Sequence, residues 1–366
     1  MPGKDKPPLH KSKAFQLAVG IAISVLCLAW AFWKMTADDD PRAVLQKIGS
    51  AFAQADYRTL PLIWGVLFVF YWLKAWRWRM LLSPLGRYRP LAELLPSILI
   101  GFAFNNLLPF RLGEFVRPLI FSRQQRLPMV AVLASVALER ILDLIALLAL
   151  LVAGLLMMPR VSDDVRRGAI IMAVLSAGGV IVVAGYLAWT GPFVRIAGWC
   201  LRAVRIVPEG LQHKITSLLE AGAVGLSAVR NGRLLPGLLF TSLAQWALNA
   251  LIIGLSLHAF AIDVPWFVSL ILAGVVAFAV AVPSAPGFFG IVQVCFLAVL
   301  ELFTVDRERV FAASIYFHLL QYIPVTLSGF AYFSVQGMKL ADVRYEAEQE
   351  RVDPGAAATE PASHPS

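Results

Sequence analysis

Three groups of polar residues sit inside apolar stretches of this chain, where they are costly unless they have work to do. The first is Asn105, Asn106, Arg111, Glu114 and Arg117, spread around Pro109-Phe110-Arg111-Leu112-Gly113-Glu114-Phe115. A helix starting near Gly113 places Glu114 and Arg117 three residues apart, able to pair. It also points unpaired N–H groups and a positive dipole end at any nearby anion. Arginine suits bidentate phosphate contacts. Arg111 and Arg117 are therefore candidate ligands of a lipid phosphate, with Asn105 and Asn106 as polar lining. The competing reading is that both arginines mark the cytoplasmic edge of the membrane and snorkel to it.

The second group is Glu139, Arg140 and Asp143, inside the apolar run Met129–Met158. Glu139 and Asp143 share a helix face at i,i+4, and Arg140 reaches Asp143 at i,i+3. Ionisable groups inside a span cost roughly 2.5–3.5 kcal/mol each on insertion scales, so they are functional candidates by default. They fit a phosphate contact through Arg140, a proton-coupling carboxylate, or an internally neutralised network that locks helices together. The third group, His318, Gln321 and Tyr322, shares a helix face just before Pro324, which would kink that helix. Hydrogen bonding inside the core competes there with a proton-carrying histidine. Gln245, Asn249 and His258 read as interhelical hydrogen-bonding residues.

Other chemistries lack their residues. The chain has no P-loop, no dinucleotide-binding glycine fingerprint, no G-x-S-x-G elbow and no H-E-x-x-H. His10, His213, His258, His318 and His364 are scattered, so no metal is expected. Cys27, Cys200 and Cys295 lie far apart in sequence and read as small hydrophobes. No cofactor is expected either.

The elements that hold these groups must be membrane helices. Hydrophobic residues make up 59% of the 366, charged residues 15%, and mean hydropathy is +0.72, a composition outside the soluble globular range. The net charge of +9 lies at the flanks of apolar runs, as topology signals do, which argues against a nucleic-acid partner. Six windows have the length of full spans: Ala14–Trp33, Leu60–Leu82, Met129–Met158, Gly168–Thr190, Leu234–Phe260 and Arg309–Gln336. The first is read as uncleaved, since it exceeds a signal-peptide core.

Two further apolar regions, Leu91–Phe121 and Trp266–Phe303, are interrupted by the same pattern P-x-x-x-G-x-F, at Pro109/Gly113 and at Pro283/Gly287, with Pro286 and Gly290 alongside. Such breaks survive in lipid only where protein or a wet cavity covers the exposed backbone. The expected fold is all-α and polytopic, with about six full spans plus two broken or re-entrant helix pairs. With cytoplasmic termini, inside segments carry 22 Lys and Arg against 9 outside, as the positive-inside rule requires. The units 60–158 and 234–336 then have opposite orientation, an inverted repeat of the kind that places transporter sites at the repeat interface. Residues 1–13 are expected to be a cytoplasmic N-terminus, 195–233 basic interfacial helices, and 338–366 a disordered tail.

The segments Asn106-Leu107-Leu108-Pro109-Phe110-Arg111-Leu112-Gly113-Glu114-Phe115-Val116-Arg117, Glu139-Arg140-x-x-Asp143, Pro283-x-x-Pro286-Gly287-x-x-Gly290 and Leu320-Gln321-Tyr322-x-Pro324 with Gly329 resemble the lysylphosphatidylglycerol synthase transmembrane region, or flippase-like membrane proteins. The resemblance spans roughly 14–337. It implies a lipid flippase domain; in bifunctional members this is joined to a soluble aminoacyl-transferase. This chain ends about 30 residues after its last span, so lipid aminoacylation is not expected of it. His318 stands where many relatives carry arginine, which weakens the case for a phosphate contact from the second half.

The expected function is movement of an anionic phospholipid or polyprenyl-linked lipid between leaflets of a bacterial inner membrane. Arg111, Arg117 and Arg140 would hold the phosphate. Membrane lipids are the expected partners, with a homo-oligomer or lipid-biosynthetic enzymes as further ones. The alternatives are an integral membrane enzyme acting on a lipid phosphate, with Glu139 or Asp143 as base, and a non-catalytic partner of a lipid-biosynthetic complex.

Overall fold

The computed structural model describes residues 13–36, 40–108, 111–158, 233–281 and 286–336, plus isolated positions between 167 and 178. The expected helices at 195–233, the tail 338–366, residues 1–12, most of Gly168–Thr190, and Pro109 and Pro283 lie outside the described residues. Among those described, all regular structure is helical. The helices are α1 (Lys13–Thr36), α2 (Pro41–Gln54), α3 (Thr59–Leu81), α4 (Leu95–Leu107), α5 (Gly113–Gln125), α6 (Met129–Leu156), α7 (Leu235–Ala259), α8 (Phe267–Ala281), α9 (Ile291–Leu300) and α10 (Arg307–Val335).

Four helical stretches are long and apolar enough to cross a membrane: Thr59–Leu81, Leu235–Ala259, Arg307–Val335 and Pro90–Leu107. The chain is thus a membrane-spanning helical protein. Pro90–Leu107 combines a wide π-helical turn at Pro90–Leu94 with α4. It is the first arm of the expected broken pair and is by itself long enough to span. Helix α2 lies between the first two expected spans, in a stretch to which the sequence reading assigned no helix. Pro41 opens it at the first helical position, where a missing N–H costs nothing, and Val44 and Ala51 are its buried contacts.

Each break closes into a helical hairpin. Helices α4 and α5 pack along each other and are 13 residues each, about 20 Å at 1.5 Å per residue. Between them Arg111 has φ 55°. The close crossing requires glycine on both sides: a Cβ on Gly113 would lie 1.8 Å from the Gly101 carbonyl oxygen, and one on Gly101 would lie 2.7 Å from the Arg117 Cβ. The second hairpin joins α8, 15 residues, to α9, 10 residues. Its link is a 3₁₀ turn at Pro286–Phe288 with positive φ at Gly287, Phe288 and Gly290. The Gly290 N–H donates to Gln293 Oε1 at 2.7 Å, which satisfies one of the open donors at the start of α9.

The hairpins are exchanged between halves. Helix α10 packs on α4, α6 packs on α8, and α3 lies along α7. Both exchanged contacts run over glycine. Gly329 of α10 faces the Leu99 carbonyl and Ala103 of α4, and Gly154 of α6 faces Phe267, Leu270 and Ile271 of α8. Between helices in lipid, where water provides no drive to associate, close backbone approach at small residues supplies the packing energy. The 3₁₀ turn of the second break packs directly on α4, and α1 packs on α9, so the two breaks meet.

Candidate functional site

Where α3, α5, α6 and α7 converge, charged side chains are buried together. Helix α6 contributes Glu139, fully buried, and Asp143, 4% exposed. They lie one turn apart on the inward face, as their i,i+4 spacing requires. Glu139 is surrounded by four cations: Lys74 Nζ at 2.8 Å, Arg117 at 2.9 Å, Arg140 at 3.2 Å and Arg77 at 3.3 Å. Arg117 grips it with both terminal nitrogens, the second donating at 3.1 Å. Asp143 accepts from Arg77 at 2.7 Å and from the Trp246 indole N–H at 3.1 Å, with Arg140 at 3.7 Å and Lys74 at 4.0 Å. Arg77 also donates to Ser242 Oγ at 2.8 Å.

Aromatic rings close the cluster. The Arg117 guanidinium lies 3.8 Å from the centre of the Trp78 ring, and Lys74 sits 5.4 Å from that of Phe102. Both are cation–π distances. Trp78 is held in turn by its own N–H, which donates to Ser135 Oγ at 3.0 Å. Toward the outside, Arg111 pairs with Glu114 at 3.3 Å, each side chain less than a third exposed. Arg140, one third exposed, pairs with both Glu139 and Asp143 at the partly open edge of the buried network.

The sequence-derived candidates separate into two groups. Arg117, Glu139, Arg140 and Asp143 form the network, with Arg111 and Glu114 at its rim. The expected Glu114–Arg117 pair is corrected: α5 begins at Gly113 as anticipated, but Glu114 turns back to Arg111, while Arg117 points inward to Glu139. The second group lines the junction of the breaks. His318 is buried and stacked on Phe289 at 4.5 Å between ring centres, and its Nδ1 has no hydrogen-bond partner among the described residues. Tyr322 packs edge-on to the same Phe289 and extends its hydroxyl to the Asn106 carbonyl at 3.4 Å. Asn106 Nδ2 donates to Thr326 Oγ1 at 2.8 Å. Gln321 Oε1 accepts from Asn249 Nδ2 at 3.4 Å. Asn105 is buried, with its Oδ1 at the start of α5 and no hydrogen-bond partner.

Lys74, Arg77, Ser242 and Trp246 belong to the network and were missed in the sequence, where Lys74 and Arg77 read as cytoplasmic topology charges. Their one legible signal was spacing: at i,i+3 they share a face of an apolar helix. Among the described residues no group of three His, Cys, Asp or Glu side chains is placed to hold a metal ion.

The sequence comparisons agree with this architecture. The profile of the lysylphosphatidylglycerol synthase TM region matches residues 17–329, and the chain belongs to that family. It is also similar to a glycosyltransferase named AglD from Haloferax volcanii, 27% identical over 314 residues covering 76% of this chain and 48% of the relative. The chain thus spans about half the length of that curated relative. No solved structure matches.

Proposed function

From that membership we infer that this chain moves a lipid with an anionic, phosphate-bearing headgroup, an anionic phospholipid or a polyprenyl-linked lipid, between membrane leaflets. The observation that carries the inference is the excess of cations in the buried network of α3, α5, α6 and α7. Four cations surround two carboxylates there, and such an excess within a span marks an anion path. Arg140 and Arg111, the partly exposed members, would meet the phosphate first. Arg117 and the carboxylates behind them hold the guanidinium groups in place.

The exchange of contacts between halves supports reading 60–158 and 234–336 as inverted repeats, with the two short hairpins entering from opposite faces. Helix α10 joins both breaks through His318, Tyr322 and Asn106, so rocking of one unit against the other would alternate access. Cytoplasmic termini and a bacterial inner membrane complete this reading.

A second reading is favoured by the similarity to a protein named a glycosyltransferase: the chain acts in glycosyl transfer, either as the membrane enzyme or as a non-catalytic partner of one. The test is reconstitution in vesicles with a fluorescent anionic lipid and a leaflet-specific quencher. Wild-type protein should accelerate transfer, and Arg140→Gln should abolish it while leaving the thermal midpoint within a few degrees. Equal transfer by both proteins would remove the phosphate role. Co-purification of a glycosyltransferase with no intrinsic lipid transfer would favour the partner reading.

A further inference from the structure

Among the described residues, the charges paired into the network and its rim are unbalanced by two. The cations are Lys74, Arg77, Arg111, Arg117 and Arg140, and the carboxylates are Glu114, Glu139 and Asp143. Five of these eight groups are buried outright, and two uncompensated charges in such a place are strongly unfavourable without a counter-charge. The cluster also holds open donors: the Nε–H groups of Arg77, Arg117 and Arg140 have no acceptor among the described residues, although the first two belong to side chains at least 97% buried, while on the anionic side Glu114 Oε1, Glu139 Oε2 and Asp143 Oδ2 lack a hydrogen bond but lie within ion-pair reach of the cations. Among the described residues, the partly open side of the cluster is the rim of Arg140, Arg111 and Glu114.

Resting on the lipid-transport reading above, we propose that the headgroup bound here is a phosphomonoester. A phosphomonoester brings close to two negative charges at neutral pH, with a second pKa near 6, and three terminal acceptor oxygens. It neutralises the cluster and occupies its donors. A phosphodiester carries one charge and two such oxygens, leaving one buried cation uncompensated. A zwitterionic headgroup would also introduce a cation into a site already in surplus.

The test compares two lipids that differ by one methyl group. Full-length protein in nanodiscs of zwitterionic lipid is titrated with phosphatidic acid or with phosphatidylmethanol of the same acyl chains, and bound lipid is counted by native mass spectrometry. Phosphatidic acid should bind about 30-fold more tightly at pH 8. The preference should fall to about 4-fold at pH 5, where the free monoester regains its proton. Arg140→Gln should reduce the preference at pH 8. Glycerol 3-phosphate at the same concentrations should fail to compete; competition equal to that of phosphatidic acid would overturn assignment to a lipid. Equal binding of both lipids at pH 8, lost in Arg140→Gln, would overturn the monoester assignment while leaving a phosphate site standing. No enrichment of either lipid would remove the transport reading along with it.

Discussion

Glu139 is the single anion on which four cations converge, so its neutralisation is the most demanding test of the network. Glu139→Gln conserves shape and removes one charge. At an effective dielectric constant near 20, each cation about 4 Å away contributes about 4 kcal/mol of attraction, but desolvation of the buried ions cancels most of that sum. What remains is the cost of breaking a buried pair by removing one member, about 3–5 kcal/mol, or a drop in thermal midpoint on the order of 10 °C. The sign distinguishes this account from a generic packing defect. Neutralising Glu139 raises the surplus from two cations to three, whereas Lys74→Met lowers it to one and should be milder. The double variant Lys74→Met/Glu139→Gln restores the original surplus. It should be more stable than Glu139→Gln alone, with a coupling of about 1–3 kcal/mol. Thermal unfolding of the four proteins in the same detergent, followed by tryptophan fluorescence, gives the cycle. A double variant whose loss equals the sum of the single losses would refute the network as an electrostatic unit.

Two more outcomes follow from the packing and the topology. Gly113→Ala should destabilise at or beyond the roughly 1–3 kcal/mol typical of overpacking, because its Cβ meets a backbone oxygen. Gly65→Ala in α3, which meets nothing within 4 Å, should leave the midpoint unchanged in the same assay. Single cysteines at Gln124 and Thr304, both exposed, in a chain with Cys27, Cys200 and Cys295 replaced, should react with an impermeant maleimide from opposite faces of sealed vesicles. Labelling from one face would contradict the inverted arrangement.

The sequence revealed helix positions well where burial depends on lipid alone. The span expected at Leu60–Leu82 is α3 at Thr59–Leu81, and that at Leu234–Phe260 is α7 at Leu235–Ala259. A continuous apolar run has no other way to satisfy its backbone in a bilayer. Helix α2 was missed because its polar residues outnumber its buried contacts, and Val44 and Ala51 gain an interior only through tertiary packing, in which α2 docks chiefly against α10. The same limit applies to the site. Glu139, Arg140 and Asp143 stood out because they interrupt an apolar run. Lys74 and Arg77 lie near the end of one, where a cation ordinarily faces lipid headgroups, and what buries them is the packing of α6 and α7. The partner chosen by Arg117 was equally a matter of tertiary structure: local spacing offered Glu114, and the fold supplied Glu139.

The contact between α1 and the second break is made at Gly290, where an added Cβ would strike the Ser24 carbonyl at 2.7 Å and the Cys27 Cβ at 2.8 Å. Farther along, Lys34 pairs with Glu301 just beyond α9, and Arg307 at the start of α10 donates to the Lys34 carbonyl at 3.2 Å. A helix held by backbone at one point and by charge about two turns away cannot slide past its neighbour. Helix α1 is therefore fastened to the second hairpin from the far end of the chain; if the two units rock as proposed, it would travel as ballast with that hairpin, and the boundary between moving parts would fall between α1 and α3 instead of midway along the sequence.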